Sequence, residues 1–271
     1  MEWTQIFTLA TKEFQDRIRN KWVLAIALVF TAFSLIITYF GAAQQGQIGI
    51  KSVEVTITSL VSLVIYLIPL IALLLGFDAI VGERERGSLD LLLTQPITRF
   101  ELLLGKYLGL AAALSLSTVT GFTLVAVLIF RQYGWAGAYH YIGFVCSSVM
   151  LGMAFLSLAM LISVLAAERT RASGMAIALW FFFVLVFDLL LLAALVGTAE
   201  HFSGDLFVYL LLLNPADVFR ILNIFSLDDV RSMYGLVSII PPALAAPWLM
   251  NTVMAVWIVT PLALAHWRFK K

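Results

Sequence analysis

Three kinds of residue in this 271-residue chain could carry chemistry. Cys146, Met150 and Met153 recur at i, i+4 and i+7, which puts three soft sulfur donors of the kind Cu(I) prefers on one helix face. Cysteine and methionine are also ordinary packing residues in apolar helices, so the trio is read as a candidate stretch of a translocation path and no metal site is assigned. Asp188 interrupts the apolar run Trp180–Val196, and a carboxylate at that depth is costly unless it is paired, protonated or wet. It too is a candidate for the path. Asp78 stands near the end of its apolar run and reads as a local anchor within reach of Lys106 or Arg84. An intramembrane aspartyl protease would need both carboxylates close enough to share a proton, and about 18 Å of helix depth separates them. His140, His201 and His266 fall at run ends and in loops. No G-x-x-x-x-G-K-[ST], H-E-x-x-H, paired C-x-x-C or G-x-S-x-G pattern occurs, so the chain has no phosphate cradle and reads as a non-enzyme. Energy, if it is used, arrives through a partner.

The elements that must position these residues are membrane helices. Hydrophobic residues make up 62% and charged residues 12%, against roughly 25% charged in soluble domains. A soluble domain is excluded. Six apolar runs reach the length needed to cross about 30 Å of hydrocarbon: Trp22–Gly41, Ile57–Phe77, Tyr107–Phe130, Ile142–Ala167, Ser173–Gly197 and Ala243–Ala265. Helices are the only form that satisfies their backbones in lipid, so the fold class is an all-α membrane protein, a single domain over residues 1–271. With the N-terminus cytoplasmic, thirteen of the 17 Lys and Arg fall on the inner side, leaving Lys51, Arg131, Arg220 and Arg231 outside. That vote places both termini in the cytoplasm of a bacterial inner membrane. Ahead of the first span, Trp3, Phe7, Ala10, Phe14 and Ile18 recur at helical spacing and predict an interfacial elbow helix over 2–20.

Two further segments carry positional signals. Gly105, Gly109, Ala113, Ser117 and Gly121 make a small-residue stripe that invites close approach of another helix, in this chain or in a second copy. The external segment 198–242 holds an apolar run, Leu206–Leu213, and then a helix start: Asn214 as N-cap, Pro215 at the first helical position and Asp217 in the first turn. Val218, Ile221, Leu222 and Phe225 form an apolar face beyond it. Asn214, Asp217, Leu222 and Phe225 are therefore the expected docking surface for an external partner, or a cover on the bundle.

Between the second and third runs, on the inner side, lies Glu83-Arg84-Glu85-Arg86-Gly87-Ser88-Leu89-Asp90-Leu91-Leu92-Leu93-Thr94-Gln95-Pro96. Gly87 loosens one helix and Ser88 can cap the next. Gln95-Pro96 stops it, and Thr98 with Glu101 forms a capping box that starts the third span. The product is a short helix over 88–95 with a leucine ridge, suited to a groove on a soluble partner or to lipid headgroups.

This segment resembles the signature of the type-2 ABC exporter permeases, E-R-E-x-G-[ST]-L-[DE]-x-L-L-[ST]-x-P-[IV]-[ST]-R-x-x-x-L-x-G-K, matched here from Glu83 to Lys106. More narrowly, Gly76-Phe77-Asp78 and Leu213–Arg220 look like the permease subunits of nitrous oxide reductase maturation transporters. The resemblance implies a homodimer with two copies of a separate cytoplasmic ATPase, which holds the ATP and Mg; this chain binds no cofactor. It makes Glu83, Arg84, Glu85, Arg86, Ser88, Leu89, Asp90, Leu91, Leu92, Leu93 and Gln95 the coupling residues. The narrower match implies a periplasmic copper-handling maturation protein as a further partner, and either export of a sulfur species or a mechanical signal for copper-site assembly. The alternatives are a permease for another small molecule, drug or lipid and, from another class, an ion-coupled carrier. A carrier would show more buried ionisable residues and an internal repeat.

Overall fold

A computed structural model describes residues 3–19, 21–40, 53–197, 209–225 and 246–270. Most of the external segment 198–242 lies outside these residues, as does the side chain of Phe225. The described chain is all helical: α1 (Trp3–Arg19), α2 (Trp22–Phe40), α3 (Val53–Gly76), α4 (Val81–Glu85), α5 (Ser88–Leu93), α6 (Arg99–Leu165), α7 (Arg169–Phe181), α8 (Phe187–Gly197), α9 (Pro215–Arg220) and α10 (Pro247–Lys270). Two π-helical turns, 182–186 and 221–225, join α7 to α8 and extend α9. Among the described residues five helical stretches are long and apolar enough to cross a membrane.

One of the five is the 67-residue α6, which contains two of the expected runs and is broken only at Gly134, with φ 67 and ψ −156. That φ suits a residue without Cβ, and here it lets the helix reverse. The limbs lie antiparallel: the Tyr107 hydroxyl donates to the Met153 carbonyl at 3.2 Å, and Phe122 meets Tyr141 and Phe144 with ring centroids 6.5 and 5.5 Å apart. The stretch between the two runs, Arg131–Tyr141, is therefore helical on both sides of a single glycine hinge. No polar linker is needed, because helix continued to the hinge satisfies its own backbone.

The small-residue stripe on the first limb packs within this chain. A Cβ on Gly105 would stand 2.7 Å from the Leu9 Cβ, and one on Gly109 2.7 Å from the Glu13 Cβ, so α1 lies directly on the stripe. Further along, Gly121 meets Ala27 and Phe30 of α2, and the Ser34 hydroxyl reaches the Gly121 carbonyl at 3.5 Å. Phe30 then stacks on Phe122 at 5.4 Å, and Phe144 on Phe219 of α9 at 6.1 Å. This aromatic chain ties α2, both limbs of α6 and α9 into one core. The outward faces remain apolar: Leu24, Leu28, Phe33 and Ile36 on α2, Leu189 and Leu192 on α8, and Val256 and Val259 on α10 are exposed. Such faces are costly in water and at home in lipid.

Candidate functional site

The site grows from the Glu83-Arg84-Glu85 triplet, whose three side chains reach three different elements. Lys106, buried on the first limb of α6, lies 3.1 Å from Glu83 and 3.1 Å from Glu13 of α1. Glu13 also pairs with Arg17 at 3.0 Å, and Glu83 takes a short hydrogen bond from the Ser88 hydroxyl. Arg84 donates to the carbonyls of Ala166, at 2.8 Å, and Val164, at 3.4 Å, capping the C-terminus of α6. Glu85 accepts the first backbone N–H of α7, from Arg169, at 2.6 Å, and so caps that helix at its positive end. Arg169 turns its Nε to Asp78 at 3.0 Å, so Asp78 is an anchor as expected, but its partner is Arg169 and not Lys106 or Arg84. Lys106 is already held between two glutamates, and Arg84 is spent on carbonyls. The last charge of the motif, Arg86, lies 3.8 Å from Glu83 and points largely into solvent.

Beyond this joint, Gly87 takes φ 70 and stands as N-cap of α5, where Ser88 was expected. The Ser88 hydroxyl is turned back onto Glu83, which explains the exchange. Thr98 and Glu101 form the full expected capping box. The leucine ridge divides: Leu89 is buried, Leu92 and Leu93 are half-buried, and Leu91 is 69% exposed. A two-turn helix cannot present four leucines to one side, so Leu89 anchors α5 and Leu91 is offered outward, flanked by exposed Asp90 and Gln95.

A second polar cluster forms where the sequence suggested an isolated carboxylate and an external helix. Asn214 caps α9 by accepting from the Ala216 N–H at 3.0 Å, and Pro215 sits at N1, both as expected. The helix is not on the surface, however: Pro215, Ala216, Asp217, Val218 and Phe219 are all buried. Its apolar residues fill the bundle, and the polar ones must then find partners inside it. Arg220 forks between Asp217 at 2.5 Å and Asp188 of α8 at 3.0 Å. Asp188 is thus paired with a cation that loop sorting had placed outside. The Asn214 amide donates to Asp217 and to the Phe183 carbonyl, each at 2.9 Å. Phe183 lies in the first π-turn, so the Asn214 amide ties α9 to that turn. The π-turn and the fork were invisible to spacing arguments, because the partners come from distant segments. The only early signal was the unexplained cost of Asp188.

Cys146 and Met150 line one groove of about 430 Å³ in the expected external half, with His140, Ser147, Leu222 and Asn223. Met153 is outside that lining. Ser147 donates to Asn223 at 3.0 Å across the groove, and Leu222 is half-buried beside it. Leu222 thus lines the groove.

Residues 7–271 match the ABC-2 family transporter protein model. A relative from Pseudomonas aeruginosa, described as a probable ABC transporter permease protein NosY, is 46% identical over 272 residues, spanning 98% of each chain. One from Stutzerimonas stutzeri with the same description is 41% identical over 278 residues, again 98% of each chain.

Proposed function

The chain belongs to the ABC-2 transporter family as a permease subunit, and from that membership we propose that α5 and the Glu83–Arg86 joint couple it to a separate cytoplasmic ATPase. The hydrolysis would then drive export of a sulfur species, or a mechanical signal for copper-site assembly of nitrous oxide reductase. The supporting observation is the wiring of the motif. Residues adjacent in sequence grip α1 and α6 through Lys106, the α6 terminus through Arg84 and the start of α7 through Glu85, while Leu91 stays 69% exposed on α5. A push on α5 would therefore reach three elements through side chains that are already engaged.

In this reading the two limbs of α6 count as separate crossings, giving six, with both termini in the cytoplasm of the inner membrane and α1 as the elbow. A second copy of the chain completes the permease, and the exposed apolar faces of α2, α8 and α10 supply surface for it and for lipid. A copper-handling protein on the periplasmic side would be the external partner. Asn214 and Asp217 then hold α9 in shape behind the docking surface, with Leu222 of the groove and Phe225 as the proposed apolar contacts.

Copurification of the ATPase tests the coupling. Leu91→Asp should abolish most recovery, since burial of one leucine contributes about 1.5–3 kcal/mol. Leu92→Asp mixes assembly with folding because Leu92 is half-buried. Full recovery with Leu91→Asp would move coupling away from α5.

A further inference from the structure

Below α5, three guanidiniums from distant parts of the chain line one cavity of about 430 Å³: Arg84 of α4, Arg99 at the start of α6 and Arg268 at the end of α10. Asp90 is the one carboxylate in that lining, so the cavity carries a surplus of two positive charges. Two of the cations are fixed before any ligand arrives. Arg84 spends two of its five N–H groups on the α6 carbonyls. Arg99 spends one on the Phe269 carbonyl at 2.5 Å, and its guanidinium lies 5.6 Å from the Phe269 ring centre. Arg268 is exposed and, among the described residues, has no carboxylate within ion-pair distance. Most donors of the three forks are therefore unspent. The remaining wall is apolar, and Leu165 beside it is 49% exposed at the end of a spanning helix. Trp267, also exposed and next to Arg268, is a residue type enriched at membrane boundaries.

We propose that this cavity binds the phosphate of an anionic phospholipid, with Arg84, Arg99 and Arg268 around the headgroup and an acyl chain along Leu165. Guanidinium forks match phosphate oxygens in pairs, and a basic pocket between helix ends at a membrane surface holds a lipid headgroup in the same way. The apolar exit along Leu165 favours a lipid over a soluble anion, which would have no use for it. The site rests on the orientation proposed above, which is checked separately by labelling the C-terminal end from either side of sealed vesicles. A wrong orientation and a missing lipid site are thus different results.

The test uses the full chain in nanodiscs of phosphatidylcholine doped with phosphatidylglycerol, with bound lipid read by native mass spectrometry. The wild type should retain phosphatidylglycerol in preference to phosphatidylcholine. Arg268→Gln, at an exposed position that leaves the fold intact, should lower that retention about fivefold. Lys270→Gln, outside the cavity lining, should not. Equal retention of both lipids, or no change with Arg268→Gln, overturns the proposal. So does protection of Arg268 from phenylglyoxal by millimolar inorganic phosphate in pure phosphatidylcholine discs to the extent that phosphatidylglycerol gives, which would make the ligand a soluble anion. Loss of the copurified ATPase in Arg268→Gln with phosphatidylglycerol retention unchanged would make the cavity a protein seat and overturn it equally.

Discussion

The cytoplasmic joint and the Asp188–Arg220–Asp217 fork use the same chemistry, carboxylates held by cations, under opposite constraints. At the joint, Glu83, Arg84 and Glu85 are consecutive and each serves a different helix end or cation. Several of their partners are backbone groups, so the charges are divided among many contacts. In the fork, a single guanidinium answers two carboxylates, one of them 1% exposed. Redundancy marks the first region and dependence on one residue marks the second. Without Arg220, Asp217 is left with the neutral Asn214 amide and no counter-charge, whereas a charge held by several neighbours loses a fraction of its support.

The largest effect should therefore come from Arg220→Leu, which strands Asp217 in the bundle. The cost is about 3 kcal/mol, the lower end for breaking a buried pair, because Arg220 and Asp188 are each about a third exposed. The thermal midpoint and the monodisperse fraction after extraction would read it. Arg220→Lys should recover only part, since a point charge cannot fork to both carboxylates. If Arg220→Leu were as stable as the wild type, the fork would carry no structural weight and the contrast would fail.

Lys106→Met ranks second, at about 1–2 kcal/mol. Lys106 is more buried than Arg220, yet its partners keep other contacts: Glu13 retains Arg17, and Glu83 retains Ser88. Loosening of α1 should accompany the loss and can be read as faster proteolysis within α1. A destabilisation larger than that of Arg220→Leu would reverse the order of the two regions. Asp188→Asn comes third. An amide oxygen can still accept from Arg220, so stability should change by less than about 1 kcal/mol while transport or maturation output falls. Unchanged output and ATP turnover in the assembled complex would leave Asp188 structural only.

Much of this was legible in the sequence where the cause is local. The Thr98–Glu101 box, the Asn214–Pro215 helix start and the α1 periodicity depend on residues close in sequence, and a helix forms at each of the three. The glycine stripe was legible as an invitation; its guest was not, because α1 and α2 answer it across nearly a hundred residues. The fork was hidden for the same reason. Asp188 and Arg220 are 32 positions apart, and assigning Arg220 to an external loop assumed that a segment between two spans stays outside the bundle. Leu89 shows the limit within a motif: four leucines announce an apolar helix, but which of them turns inward depends on the elements beneath it.

The smallest effect tests the redundancy of the joint itself. Arg86 belongs to the same four-residue run of charge as its neighbours, and sequence alone gives it equal standing. Its side chain is 65% exposed and its pair with Glu83 spans 3.8 Å, where solvent screening leaves about 0–1 kcal/mol. Glu83 is held independently by Lys106 and Ser88. Arg86→Glu should therefore leave the thermal midpoint within error at physiological salt, and any loss should vanish as salt is raised. ATPase recovery should drop less than with Leu91→Asp, because reversing an exposed charge removes screened attraction while Leu91→Asp puts a charge where apolar area must be buried. A loss of recovery with Arg86→Glu that matched Leu91→Asp would mean that the partner reads charge at this end of the joint, and that the leucine is not the main contact.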